Sequence, residues 1–67
     1  MDFKVYRTNT RTTYRDGEVV TEKLDTPEYI AIAQHDTFIS VAVEKTDFTA
    51  RRTVKERLLR LLNAVAP

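Results

Sequence analysis

His35-Asp36 is the one place in this chain where a base sits beside a residue able to orient it, because His35 is the only histidine. A pair of that kind serves a nucleophile, and a hydroxyl becomes nucleophilic only with a base in hydrogen-bond reach. Ser40, the only serine, falls inside an alternating apolar run and reads as a strand residue. Neighbours in a tight turn seldom reach the geometry in which one orients the other. His35 therefore reads as an exposed turn residue. The close carboxylates Asp16/Glu18 and Glu22/Asp25 are accounted for by turn chemistry and pairing with arginine. Gly17 is the only glycine, which excludes a glycine-rich phosphate cradle. The absence of cysteine excludes disulfides and thiolate metal sites, and a single histidine excludes a His-rich one. The expectation is a protein that is not an enzyme, with no catalytic residue, metal or cofactor.

The second group with chemical potential is basic. Arg7, Arg11 and Arg15 recur every four residues, so a strand presents them on one face, with Thr and Asn between them. A two-stranded ribbon carrying such residues can enter a nucleic-acid groove, and Tyr6 and Tyr14 offer stacking surfaces for unpaired bases. Arg51, Arg52, Lys55, Arg57 and Arg60 form a second basic cluster near the C-terminus, opposed only by Glu56. Residues 16–50 hold eight acids against Lys23 and Lys45, so both ends are basic and the middle is acidic. Against nucleic-acid binding, the sequence pI is 8.1, below the value of about 9 expected of a basic nucleic-acid domain. A DNA- or RNA-binding module using Arg7, Arg11, Arg51, Arg52, Lys55 and Arg57 is therefore the alternative reading rather than the leading one.

Elements to position these residues follow from periodicity and turn chemistry. Residues 3–14 are rich in Thr, Tyr, Val and Phe, which favour strands. Asp16-Gly17 between two such runs is a strong hairpin signal, since a type I′ turn needs two residues with positive φ. The implied register sets Arg15 opposite Glu18, Tyr14 opposite Val19, Thr12 opposite Thr21 and Arg11 opposite Glu22. Asp25-Thr26-Pro27 reads as a turn, because proline lacks a donor and holds Thr26 extended. Strands are then expected at about 18–24, 29–34 and 38–45, with His35-Asp36 in the last turn and Ala33 pairing with Phe38. A helix is expected over about 50–65. Asp47, Thr49 or the capping box Thr53–Glu56 could start it, and Val54, Leu58, Leu61, Leu62 and Val65 form its apolar stripe.

The expected fold is α+β: one domain over 1–67, a four-stranded antiparallel β-meander covered on one face by a single C-terminal helix (ββββα). The stretch Tyr29–Val43 divides into two faces. Ile30, Ile32, Ile39, Val41 and Val43 lie on one, and they are expected to meet the helix, joined by Phe3 and Val5, with Phe48 plugging the start of the helix. Tyr29, Ala31, Ala33, Phe38, Ser40 and Ala42 lie on the other, and they are expected to be uncovered and to form a homodimer interface. A 67-residue chain buries only about 60% of the surface its unfolded form exposes and lacks covalent or metal staples, which leaves association as its support.

Function is read from that uncovered face. The leading expectation is a small non-enzymatic protein-interaction module, a homodimeric regulator or inhibitor of another protein. The apolar stripe of the helix is needed by the sheet, so no membrane role is expected. MDFKVYR lacks the apolar run of a signal peptide and no apolar stretch approaches a membrane span, which together with the absence of cysteine suggests a cytoplasmic protein.

Overall fold

A computed structural model describes residues 2–65. It contains β1 (Asp2–Arg15), β2 (Glu18–His35), β3 (Phe38–Glu44) and α1 (Asp47–Val65). The strands form one antiparallel sheet in the order β1-β2-β3. The fold is α+β with a C-terminal helix, but the sheet has three strands rather than the expected four.

The first hairpin has the expected register, with Arg15 opposite Glu18, Thr12 opposite Thr21 and Arg11 opposite Glu22. Asp16 and Gly17 both adopt positive φ, 51° and 82°, as a type I′ turn demands. The Thr12 and Thr21 hydroxyls meet at 3.3 Å across the pair.

The missing turn explains the missing strand boundary. β2 runs through Asp25-Thr26-Pro27 without reversing, and β1 pairs with both of its halves. Thr8 lies opposite Glu28 and Thr10 opposite Lys23, so Asn9 alone faces Leu24, Asp25, Thr26 and Pro27. This is a bulge, which accommodates proline as well as a turn does, since neither asks it for a ladder hydrogen bond. The β1 side is tied locally: the Thr8 hydroxyl donates to the Thr10 carbonyl at 2.9 Å and accepts from the Thr10 amide at 3.2 Å. Beyond the bulge the hairpin extends as a two-stranded ribbon, and the molecule measures 43 × 29 × 15 Å.

The second hairpin closes through Asp36-Thr37, with His35 opposite Phe38 and Ala33 opposite Ser40. That register is two residues away from the expected one. A shift of two preserves which side chains share a face, so the division of Tyr29–Val43 into two faces holds. Asp36 takes a φ of 53°, a left-handed conformation that Asp tolerates better than most residues.

The helix begins at Asp47, the earliest of the three starts the sequence offers. Thr46 caps it: its hydroxyl accepts from the Thr49 amide at 3.1 Å, and its carbonyl accepts from the Ala50 amide at 3.0 Å. Asp47 in the first turn complements the helix dipole and pairs with Arg51 one turn on.

The helix covers the opposite face from the one expected. The buried core consists of Ala31, Ala33 and Ala42 from the sheet and Ala50, Val54 and Leu58 from the helix. Ser40 is also buried, and Phe3, Val5, Tyr29, Phe38 and Leu62 pack around this core. The face proposed as a dimer interface (Tyr29, Ala31, Ala33, Phe38, Ser40 and Ala42) is thus occupied by the chain's own helix. Shape is the reason. Small side chains in the middle and aromatics at the margins form a trough that a helix backbone can approach closely, and Ala50 shortens the approach from its side. The link of Lys45 and Thr46 then keeps α1 beside β3 and β2. Phe48 does not plug the helix start: it is 70% exposed.

Candidate interaction surface

Cross-strand register places Lys4, Ile32 and Val41 in one row on the uncovered face of the sheet, and Tyr6, Ile30 and Val43 in the next. Ile39 extends the patch from below, opposite Gln34. Tyr6 is 50% exposed, Ile39 57%, Val41 48% and Val43 51%, so a contiguous apolar surface of β-branched and aromatic side chains faces outward. β-Branched residues stand well on a pleated sheet whichever way they point. What is unusual is a whole face of them without a covering layer.

A charged clip closes one end of this face. Glu28, opposite Thr8 and two residues before Ile30, is only 6% exposed. Arg11 donates to it in a two-pronged contact, Nε to Oε1 at 3.3 Å and Nη2 to Oε2 at 2.9 Å. Lys45 Nζ approaches Oε2 at 3.2 Å. A carboxylate so placed must be paired to remain charged. The Arg11 hydrogen bond holds the Glu28 carboxyl below its ordinary pKa against the opposing effect of desolvation, and Lys45 adds to the lowering. Arg11 is correspondingly raised, chiefly by the same bond, with a smaller contribution from Glu22. Between the clip, the base of the ribbon and the apolar face lies a groove of ≈ 690 Å³, lined by Thr8, Thr10, Arg11, Thr12, Thr13, Glu28, Ile30 and Val43. A smaller groove of ≈ 260 Å³ lies at the β1 margin near Phe3, Tyr6 and Ile32.

The six basic residues expected to contact nucleic acid do not share one surface. Arg7 pairs in register with Tyr29 on the helix side of the sheet, whereas Arg11, beyond the bulge, reaches Glu28 on the open side. The two side chains therefore do not continue one stripe. Arg51 and Lys55 lie against the Phe3 ring, 5.3 and 5.0 Å from its centroid, and Arg51 also pairs with Asp47. Arg52 covers Phe48 at 5.6 Å. Arg57 Nη1 donates to the Val41 carbonyl at 2.9 Å, which ties it to the edge strand β3. Arg51 and Lys55 thus share one ring, whereas Arg52 sits on another, each in a cation–π contact.

His35 Nε2 and Asp36 Oδ2 stand 3.8 Å apart on an exposed turn, and Ser40 lies under the helix. Among the described residues no cluster of His, Asp and Glu is placed to hold a metal ion. No helix among them is long and apolar enough to cross a membrane.

Glu28 was missed by sequence reasoning, and Tyr6 was read only as a stacking surface for unpaired bases. The signal for Glu28 was its parity: it precedes Ile30 and Ile32 at spacing two, so a strand running through Pro27 puts all three on one face. Comparison of the chain with protein-family models, with curated proteins and with solved structures gave no match.

Proposed function

We propose that this chain is a non-enzymatic protein-interaction module whose working surface is the open Ile/Val face of its sheet. The observation that carries this is the exposure of Tyr6, Ile39, Val41 and Val43 as one patch beside the half-buried Ile30 and Ile32. Contiguous apolar surface of that kind marks a place where another macromolecule docks. The mode of docking is face-on. Arg57 already occupies the Val41 carbonyl of the edge strand β3, which obstructs strand addition along that edge. Regulation or inhibition of another protein is the role such a module fills. The separation of His35 from Ser40, one on an exposed turn and the other under the helix, supports a non-catalytic role.

A photo-crosslinking residue at Ile39 tests the reading in cells. An adduct to a protein is expected at Ile39 and none from the same residue at Arg60 on the outer side of the helix. No adduct at Ile39 would overturn the reading. Nucleic acid is the weaker alternative on this geometry, because the clip engages Arg11 and the β3 edge engages Arg57. Oligonucleotide binding that falls steeply with salt would restore it.

A further inference from the structure

The monomer exposes more surface than its mass calls for. Its accessible area is 5267 Å² at 7.8 kDa, whereas a compact monomer of that mass exposes about 4,400 Å². The excess of about 900 Å² is close to the ~800 Å² that each partner gives up in a standard specific interface. The radius of gyration agrees: 14.0 Å, against about 11 Å for a compact domain of this length. Part of the excess belongs to the ribbon, where Tyr14, Val19 and Val20 are exposed, and part to the Ile/Val face, where Tyr6, Ile39, Val41 and Val43 are.

The core of the monomer is correspondingly thin. Among the described residues, four alanines, Val54 and Leu58 are all the hydrophobic residues that it buries fully, and only the last two are large. A chain without disulfides that buries so little gains much of its stability from a second apolar layer. That layer has to be present whenever the chain is made, and a second copy of the chain always is.

We infer that the Ile/Val face is the interface of an isologous homodimer, two sheets packed face to face with the helices on the outside. This inference rests on the proposed interaction surface and names its occupant. The rows on the face are self-complementary. A two-fold axis lying between the sheets, at right angles to the strands, sets the row Lys4, Ile32, Val41 over the row Tyr6, Ile30, Val43 of the second copy. Ile32 then meets Ile30, Val41 meets Val43, and the Lys4 ammonium meets the Tyr6 ring, so the one charge in these rows finds an aromatic partner. Sheets packed in this way keep their strands within about 30° of alignment. The clip of Arg11, Glu28 and Lys45 stands at the rim and closes the apolar layer from water.

Sedimentation equilibrium of the purified chain, with its melting temperature followed across concentration, tests the inference. The expected result is twice the monomer mass at about 100 µM and a melting temperature that rises with concentration. Val41→Thr keeps the shape of the side chain and buries a hydroxyl in each copy, so it should raise the dimer dissociation constant at least about tenfold. Glu56→Lys on the outer helix surface should leave the dissociation constant unchanged. A monomer with concentration-independent melting would overturn the inference, as would a dimer indifferent to Val41→Thr. The crosslink at Ile39 separates the two readings. An adduct to a different protein from a chain that is monomeric when pure removes the second copy and keeps the interaction surface, whereas the absence of any adduct removes both.

Discussion

The two faces of the sheet are both apolar, and the helix sits on the one with less apolar mass. The covered face offers Ala31, Ala33, Ser40 and Ala42 at its centre, and the open face offers Ile30, Ile32, Ile39, Val41 and Val43. Hydrophobicity alone would choose the second for the core. Close packing chooses the first, because a helix gains most where its backbone can approach and its side chains find floor and walls. A flat field of branched side chains holds a helix further off but suits another pleated sheet, whose residues interdigitate with it. The difference teaches that within one sheet the small face is the one the chain's own helix covers, and the bulky face is the one it leaves open.

The contrast is broken most severely through the side chain that fills the trough. Leu58 is fully buried and Leu59, its neighbour, is half exposed. Leu58→Ala should cost about 2–5 kcal/mol, transfer and cavity together. Leu59→Ala should change stability by less than about 0.5 kcal/mol. Urea denaturation followed by circular dichroism compares them, and equal losses would mean that the helix does not lie on this face. Exchanging sizes across the sheet is the next test. Ala33→Val adds two methyl groups to a floor with no space for them and should cost about 1–3 kcal/mol. Val41→Ala removes nothing that the helix touches, so its cost should vary with protein concentration, whereas the cost of Ala33→Val should not.

Much of this architecture was legible in the residues, and the part that was not has a physical cause. The first hairpin could be read in full because Asp16-Gly17 admits few backbone solutions and the flanking charges and threonines confirm one register. The partition of Tyr29–Val43 into two faces survived a register error because side-chain direction repeats every two residues. Pro27 misled because it states what it lacks, a donor, and not how the chain bends around it; a bulge and a turn satisfy it equally. The choice of face was missed because counting apolar residues weighs Ile above Ala, whereas packing a helix weighs close approach. Arg11 was assigned to Glu22 from register alone, but the bulge swings it to Glu28, and no local pattern encodes a rotation of that kind.

The helix start gives a smaller effect on the covered side. Thr46 is the residue whose hydroxyl accepts from the Thr49 amide, so Thr46→Ala should cost about 1 kcal/mol, while Thr46→Ser should cost almost nothing. Thr53→Ala, which removes the capping box suggested by sequence, should leave helix content unchanged, since Thr53 lies within α1. Thermal denaturation of the three variants ranks them, and a larger loss from Thr53→Ala would move the helix start to the last of the three positions the sequence offers.

The most local effect belongs to the open side, at its clip. Glu28 is held below its ordinary value of 4.5, first by the hydrogen bond from Arg11 and then by Lys45. A carboxyl with a depressed folded pKa contributes stability that is fully present above its ordinary value and is lost as pH falls through the depressed one. The clip should therefore be intact at neutral pH and release only in acid, below the ordinary carboxylate range. Amide exchange, expressed as protection factors, should show residues 10–13 of the ribbon loosening there while Val54 and Leu58 stay protected. Glu28→Gln keeps the size of the side chain and removes its charge, so it should loosen the ribbon at neutral pH and abolish the dependence on acid. Arg11→Gln should do the same from the other partner, whereas Glu22→Gln should change little, because Glu22 acts on Arg11 only at a distance. A wild-type ribbon whose protection is flat across the acid range would show that the bulge, with its Thr8 and Thr10 bonds, holds the ribbon against the open face without the ion pair.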